Sequence, residues 1–132
     1  MNQPRTILLV EDEPEVRRIF RRLLSTHGAL ILEAQTGAEA LVIARQTRLD
    51  LVILDLKLPD VSGTEGLRRI RRIDTSVPVI VVTSHGSVET VRAAMELGAF
   101  DYLTKPFDNQ EIRRVAREAL ASRAGGPIPL RA

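Results

Sequence analysis

The sequence predicts an α/β domain of three layers, in which a parallel β-sheet lies between two layers of helices. Five short apolar runs alternate with five amphipathic stretches along the 132 residues. The apolar runs are almost continuous, and such strands are covered on both faces, which is typical of parallel sheets with right-handed helical crossovers. A chain of this length also favours a single domain.

Short runs rich in Val, Ile and Leu mark the five predicted strands. They are Thr6–Val10, Ala29–Leu32, Leu51–Leu54, Val79–Val82 and Phe100–Leu103. Periodicity does not determine how the strands are ordered in the sheet. The order 2-1-3-4-5 of the flavodoxin-like (βα)5 fold is a common solution for this pattern, and we expect it here.

Apolar residues at helical spacing and capping residues mark the five predicted helices. The first helix opens at Pro14, because proline is tolerated in a first turn. A Ser, Thr or Asp followed three residues later by Glu predicts a capping box. Such pairs start the second, third and fifth helices: Thr36 with Glu39, Ser62 with Glu65, and Asp108 with Glu111. The fourth helix ends at Gly98, and its apolar positions are Val88, Val91 and Met95.

The composition excludes several classes of protein. The chain has no cysteine, which excludes a disulfide framework, a thiolate metal site and a thiol nucleophile. No apolar run approaches the roughly 20 residues that span a bilayer. The first residues lack the apolar segment of a signal peptide, and we therefore expect a cytoplasmic protein.

The basic residues are mostly arginine, and their pattern does not favour nucleic-acid binding. Arginine supplies 17 of the 19 basic residues, but the net charge is only +2 because acidic residues are interleaved with them. Aromatic residues make up 3% of the chain, so a stacking platform for single strands is missing. The two lysines are Lys57 and Lys105.

Polar side chains follow four of the five predicted strands. Glu11 and Asp12 follow the first strand, Asp55 the third, Thr83 the fourth and Lys105 lies just beyond the fifth. Any one of them alone is explained by a turn or a helix cap. Because the carboxyl ends of parallel strands meet at one edge of a sheet, the four together predict a site at that edge.

The residue types at this edge favour phosphoryl transfer to a carboxylate. Three carboxylates, Glu11, Asp12 and Asp55, require a cation, and oxygen ligands are those that Mg²⁺ prefers. An aspartate can act as a covalent nucleophile and form an aspartyl phosphate. The ammonium group of Lys105 and the hydroxyl group of Thr83 would then stabilise the transferred group.

Four motifs lie in this order at the strand ends. They are Ile7–Pro14, Asp55–Asp60 with Gly63, Val82–Ser84, and Gly98–Phe107. Together they resemble the receiver domain of two-component response regulators over residues 5–121. The last motif is most similar to receivers of the nitrogen-regulatory and nitrogen-fixation type. The resemblance implies a signalling phospho-acceptor, not an enzyme that turns over a substrate.

The resemblance implies a role for each residue of the acidic edge. Asp55 would accept a phosphoryl group from the phosphohistidine of a sensor histidine kinase or from a phosphotransfer protein. Glu11, Asp12, Asp55 and the backbone carbonyl of Lys57 would hold Mg²⁺. The ammonium group of Lys105 would pair with the phosphoryl group, and a cis Lys105–Pro106 peptide bond would position the lysine.

The resemblance also implies a switch. Thr83 would move toward a phosphoryl oxygen, and Tyr102 would follow it inward. This movement would remodel the face between Val88 and Leu120, which serves for output or for a homodimer. Residues 1–124 would form the receiver domain. Residues 125–132 have linker composition and would be a tail or the start of a linker to an output domain.

Two positions, Glu11 and Ser84, depart from the pattern of the family. Glu11 stands where Asp is common, so its contact with Mg²⁺ would run through water. Ser84 stands where Ala or Gly is common and would crowd the phosphoryl pocket. Lys57 and His85 would tune autodephosphorylation, whereas His27 is expected to be surface structure. Neither departure removes a required group.

Other functions fit the residues less well. An aspartyl-nucleophile phosphatase usually has a second Asp two residues after the nucleophile, and this chain has Lys57 there. A receiver that is never phosphorylated and acts only in docking would not need Asp55, Thr83 and Lys105 together. A flavodoxin-like nucleotide or flavin binder would need a Gly-rich loop after the first strand, where this chain has acidic residues.

Overall fold

The computed structural model describes residues 4–25, 28–84 and 88–124 and shows five strands in alternation with five helices. The strands are β1 Thr6–Val10, β2 Leu30–Ala34, β3 Leu51–Asp55, β4 Val79–Thr83 and β5 Asp101–Thr104. The helices are α1 Pro14–Ser25, α2 Gly37–Gln46, α3 Gly63–Ile73, α4 Val88–Glu96 and α5 Asn109–Ala124. The predictions for His27, His85 and residues 125–132 lie outside the described residues.

The five strands form one parallel sheet in the order β2-β1-β3-β4-β5. The predicted (βα)5 fold of flavodoxin-like topology is therefore confirmed. β1 and β3 pair from Ile7 opposite Leu51 to Val10 opposite Leu54, and β3 pairs with β4 so that Asp55 lies opposite Val82. The carboxyl ends of these central strands are thus level with one another at one edge of the sheet.

Two strands extend further than their apolar runs. β3 includes Asp55, and β4 includes Thr83, although we predicted that both strands end one residue earlier. The backbone ladder continues past the apolar residues, with Leu56 N donating to Val82 O at 2.9 Å and Lys105 N to Thr83 O at 2.9 Å. The ends of β2 and β5 also differ from the prediction by one or two residues, because pairing with a neighbour sets them.

Apolar side chains cover both faces of the central strands. Leu8 and Val10 belong to one buried cluster, and Ile7 and Leu9 belong to a second cluster on the opposite face. The prediction of a sheet covered on both sides therefore holds for β1, β3 and β4. It does not hold for the edge strand β5, where Tyr102 and Thr104 are exposed.

The predicted capping boxes form only in part. Thr36 Oγ1 accepts from Glu39 N at 3.1 Å, but Glu39 Oε1 accepts from Gln35 N instead of Thr36 N. Ser62 Oγ likewise accepts from Glu65 N at 3.2 Å. The carboxylate of Glu65 instead binds arginines of α3, because these side chains lie one turn further along the same helix face. In these two boxes the first half is correct and the reciprocal half is wrong, whereas before α5 the carboxylate of Asp108 accepts from Gln110 N at 2.8 Å.

The apolar spacing of α4 identifies the helix but does not place its apolar face in the core. Val88 is 70% exposed and Met95 is 40% exposed, whereas Ala94 is fully buried. A small residue therefore belongs to the buried cluster, whereas Val88 and Met95 remain on the surface. No helix in the described part of the chain is both long and apolar enough to cross a membrane.

Arginine forms the surface ion pairs of the described residues. Arg17 and Arg21 of α1 bind Glu33 of β2, and Arg123 of α5 binds Asp74 after α3 at 2.7 Å. The described ion pairs that use lysine are all made by Lys105. The planar, forked guanidinium group suits contacts that join one element to the next.

We predict that Phe20→Ala lowers the free energy of unfolding by about 3–5 kcal/mol. Phe20 is fully buried, and its ring meets that of Phe107 edge-to-face with centroids 5.1 Å apart. The substitution therefore leaves a cavity between α1 and the segment before α5. Urea unfolding monitored by circular dichroism measures the effect.

Val88→Ala is the matched control for Phe20→Ala. It removes an apolar side chain that is 70% exposed, and we expect a change within about 0.5 kcal/mol. Similar losses of stability in the two variants would contradict the described core.

Candidate functional site

Asp55 is the last residue of β3, and its carboxylate is held from two sides. Oδ1 accepts from Lys57 N at 2.8 Å, and Oδ2 accepts from Lys105 Nζ at 3.2 Å. The side chain is almost completely buried. Its position follows from the sheet, because the β3–β4 ladder fixes the backbone of Asp55 opposite Val82.

Glu11 and Asp12 bring two more carboxylates to Asp55. One oxygen from each of the three residues lies within 4.8 Å of the other two. Glu11 is buried, and its Oε2 accepts from Glu13 N at 3.1 Å, whereas Asp12 is exposed. The predicted acidic edge therefore consists of two buried carboxylates and one that faces solvent.

Lys105 is the counter-ion of this cluster. Its Nζ lies 3.2 Å from Asp55 Oδ2, 3.3 Å from Glu11 Oε1 and 3.0 Å from Glu13 Oε1. The Lys105–Pro106 peptide bond is cis, as the resemblance implied. We did not predict the contact with Glu13. The sequence signal was the third acid in the run Glu11-Asp12-Glu13, which we interpreted only as the start of a helix.

The surroundings of the cluster shift the pKa values of Glu11 and Lys105. Burial, followed by the hydrogen bond with Asp55, raises the pKa of Glu11 to about 8, against the opposing effects of Glu13 N–H and Lys105. Burial lowers the pKa of Lys105, but its hydrogen bond with Glu13 and the charges of Asp55 and Glu11 raise it above the usual value overall. Burial therefore disfavours the charged form of Glu11 even with the ammonium group of Lys105 beside it.

A cleft of about 360 Å³ opens over the acidic cluster. Its lining residues are Asp12, Glu13, Asp55, Lys57, Leu58, Pro59, Ser84 and Lys105. Ser84 lies at the rim, where we expected it to crowd the pocket, and the side chain of Lys57 is exposed. Thr83 is buried at the end of β4, and its carbonyl accepts from Lys105 N.

Tyr102 lies apart from the acidic cluster. Its side chain is 41% exposed on β5, where it lines a recess with residues of α4. The lining residues of this recess are Val88, Val91, Arg92, Tyr102 and Thr104. The structure therefore places the predicted switch tyrosine in an outward position, beside the apolar surface of α4.

The donor set fits a hard divalent cation. Three carboxylate groups converge within 4.8 Å, one of them open to solvent, and all offer oxygen atoms. Burial is the main reason that the pKa of Glu11 is raised, and the charge of Lys105 opposes this rise only in part. A cation bound to Glu11, Asp12 and Asp55 would favour the charged form of all three.

The fold and the acidic site define a class of signalling domain. The model of the response regulator receiver domain matches residues 7–117. The chain belongs to this family, and the resemblance inferred from its motifs is confirmed.

Two curated relatives show how the similarity is distributed. Sporulation initiation phosphotransferase F of Bacillus subtilis is 36% identical over 86% of this chain and 92% of its own length. Transcriptional regulatory protein GlrR of Escherichia coli is 32% identical over 93% of this chain, but the chain spans only 28% of its length. The similarity therefore covers one whole relative and a minor part of a longer one.

Solved structures share the fold. A CheY-like receiver domain protein from Methanospirillum hungatei has a TM-score of 0.89 at 26% identity, covering 95% of this chain and 100% of its own. The receiver domain of NtrX from Brucella abortus has a TM-score of 0.82 at 32% identity, covering 86% and 97%. The receiver domain of sensor histidine kinase PA1611 from Pseudomonas aeruginosa has a TM-score of 0.82 at 28% identity, covering 90% and 99%, and contains a magnesium ion in its active-site cleft.

We predict that the metal-free protein loses stability as the pH rises from 5 to 8. The pKa of Glu11 is raised to about 8 in the folded state, from 4.5 for an unperturbed Glu, so the folded state binds more protons in this range. The free energy of unfolding is therefore highest near pH 5. We expect it to fall by on the order of 2 kcal/mol as the pH rises to 8. Thermal unfolding in EDTA at several pH values measures it.

Glu11→Gln should make the stability of the protein nearly independent of pH between 5 and 8, because the amide does not ionise. Glu96→Gln, on the exposed surface of α4, should keep the wild-type slope. A wild-type slope in Glu11→Gln would mean that another group causes the pH dependence.

Proposed function

We propose that this domain accepts a phosphoryl group on Asp55 from the phosphohistidine of a sensor histidine kinase or of a phosphotransfer protein. The observation that carries the proposal is the position of the Asp55 carboxylate, between two further carboxylates and the ammonium group of Lys105. Membership of the receiver family supports it, as does the match to a relative named as a phosphotransferase.

The proposed step is an in-line displacement at phosphorus. An oxygen of Asp55 forms the new P–O bond while the P–N bond of phosphohistidine breaks. The imidazole nitrogen leaves with the electron pair and is protonated. Lys105 lies 3.2 Å from Asp55 Oδ2 and can transfer its contact from Glu13 to the incoming phosphoryl oxygens. The hydroxyl group of Thr83 would donate to another of these oxygens.

Magnesium is the proposed cofactor, and when bound it neutralises charge on the phosphoryl group. Glu11, Asp12, Asp55 and the backbone carbonyl of Lys57 would hold it. The side chain of Glu11 is longer than that of the Asp that is common at this position, so its contact with magnesium would run through a water molecule. The magnesium ion in the cleft of the PA1611 receiver domain supports this part of the proposal.

Phosphorylation is proposed to shift an equilibrium between two conformations of the face from Val88 to Leu120. Thr83 would move toward the phosphoryl group, and Tyr102 would turn inward from its exposed position. Exposed apolar side chains of α4 beside Tyr102 support a binding role for this face, either for output or for a homodimer. Lys57, Ser84 and His85 would tune the lifetime of the phosphorylated state.

The organisation of the full-length protein is a separate part of the proposal. Residues 1–124 would form the receiver domain, and residues 125–132 a tail or the start of a linker. The chain spans less than a third of GlrR, a transcriptional regulator, so an output domain and a role in transcription are proposals by analogy. A cytoplasmic location is part of the same proposal.

We predict that acetyl phosphate with Mg²⁺ adds one acid-labile phosphoryl group to the wild-type protein and none to Asp55→Asn. Intact-mass spectrometry measures the labelling. Asp50→Asn is the matched control, because Asp50 precedes the opposite end of β3, where it accepts from Thr6 N. Equal labelling of Asp55→Asn and the wild type would exclude Asp55 as the acceptor, and an unlabelled wild type would favour a docking module.

We predict that phosphorylation changes the intrinsic fluorescence of Tyr102 and that Thr83→Ala abolishes most of this change. Tyr102 is the chain's one tyrosine, and the chain has no tryptophan, so the signal has a single source. Thr83→Ala should still be labelled by acetyl phosphate, although more slowly.

Thr75→Ala, in the exposed turn after α3, serves as the control and should keep the full fluorescence change. A full fluorescence change in labelled Thr83→Ala protein would mean that Tyr102 responds to phosphorylation without Thr83. This result would contradict the proposed switch.

A further inference from the structure

One carboxylate ties the loop between β3 and α3, residues 56–62, to the N-terminus of α2. Asp60 Oδ1 accepts from Gly37 N at 2.9 Å, and Asp60 Oδ2 accepts from Ala38 N at 3.0 Å. These hydrogen bonds hold the pKa of Asp60 below its usual value. Two hydrogen bonds to one charged carboxylate fix its orientation as well as its position.

The helix does not need Asp60 as its cap, because α2 has a cap of its own. Thr36 Oγ1 accepts from Glu39 N at 3.1 Å. Asp60 instead binds two of the N–H groups that every helix leaves without an internal partner. Since it is 23 residues from Gly37 in sequence, its main effect is to join the loop to the helix.

The loop and the helix approach each other closely at this junction. A Cβ atom added to Gly37 would lie 2.5 Å from Cγ2 of Val61, so the absence of a side chain lets the loop rest on α2. At its other end the loop closes on itself, with Gly63 N donating to Leu56 O at 2.9 Å. The loop is therefore fixed at its base by Gly63 and on its side by Asp60.

The same loop carries the backbone of Lys57 at the acidic site. Lys57 N donates to Asp55 Oδ1 at 2.8 Å, and Lys57 forms an isolated bridge with Ser62 across the loop. A displacement of the loop would therefore move the N–H group that orients Asp55. It would also move the neighbouring Lys57 carbonyl, which is the proposed backbone ligand of magnesium.

We propose that Asp60 is a positioning residue for the magnesium site, acting through the loop 56–62 that it ties to α2. The inference rests on the proposed function, because it concerns the site that holds magnesium there. Groups that orient metal ligands without touching the metal commonly change metal affinity 10–100-fold when they are removed. Asp60 would thus set the magnesium concentration at which Asp55 becomes competent to accept a phosphoryl group.

Calorimetric titration of the unphosphorylated protein with MgCl₂ tests this role directly. We expect Asp60→Ala to raise the dissociation constant for Mg²⁺ about tenfold. Labelling by acetyl phosphate should then need about tenfold more Mg²⁺ for half-maximal rate. Its maximal rate should stay near that of the wild type, because Asp60 touches none of the reacting atoms.

Three further variants separate the tether from other effects of Asp60. Thr36→Ala removes the helix's own cap and leaves the tether, so we expect a lower melting temperature and an unchanged affinity for Mg²⁺. Gly37→Ala keeps the Asp60 carboxylate but forces Val61 away from α2, so we expect an affinity loss like that of Asp60→Ala. Asp60→Asn keeps an acceptor oxygen without the charge and should remain closer to the wild type.

Three results would overturn the inference. The first is an unchanged affinity for Mg²⁺ in Asp60→Ala, and the second is an equal loss in Thr36→Ala, which would assign the effect to helix capping. The third is that Asp60→Asn matches Asp60→Ala while Gly37→Ala matches the wild type, which would assign it to charge. None of these concerns the proposed function, which fails instead if the wild-type protein is not labelled on Asp55.

Discussion

The arrangement of this domain depends on one ammonium group that is shared by three carboxylates. Lys105 Nζ lies within 3.3 Å of Glu11, Glu13 and Asp55. Two of these acids are buried, and buried charges of like sign are costly unless a cation compensates for them. The apolar layers stabilise the body of the domain, whereas charge holds its functional edge together. That edge is consequently the part most open to rearrangement when a cation or a phosphoryl group arrives.

The parallel sheet determines which residues can share this ammonium group. β1, β3 and β4 are adjacent, and their ladders place Glu11, Asp55 and Thr83 at one edge. Lys105 reaches the same edge from β5, and its backbone N–H continues the ladder to Thr83 O. The site is therefore built at the ends of paired central strands. The segments after β3 and β4 line the cleft with Lys57 and Ser84.

The sequence predicts those features that depend on strand ends and on local spacing. The gathering of Asp55 with Glu11, Asp12 and Lys105 follows from the apolar runs and from the polar residues behind them, whereas the strand order was expected only because it is a common solution for this pattern. The junction of Asp60 with α2 could not be predicted in this way, since it joins residues 23 positions apart through backbone N–H groups that no side-chain pattern reveals. The contact between Glu13 and Lys105, 92 positions apart, was hidden for a similar reason. The exposed apolar face of α4 has the same helical spacing as a buried one, so spacing alone could not distinguish them.

The distribution of the two basic side chains has a chemical consequence. Arginine forms the ion pairs that join helices and strands in the described part of the chain, and both lysines of the sequence line the acidic cleft. A guanidinium group stays charged under all ordinary conditions, whereas a primary amine is a target for acyl groups that remove its charge. Acetylation or carbamylation of lysine in this protein would therefore act on Lys57, which is exposed beside the cleft, whereas three carboxylates hold Lys105 as a protonated ammonium. Such a modification would change the charge beside Asp55 while the arginine ion pairs that support the fold remain intact.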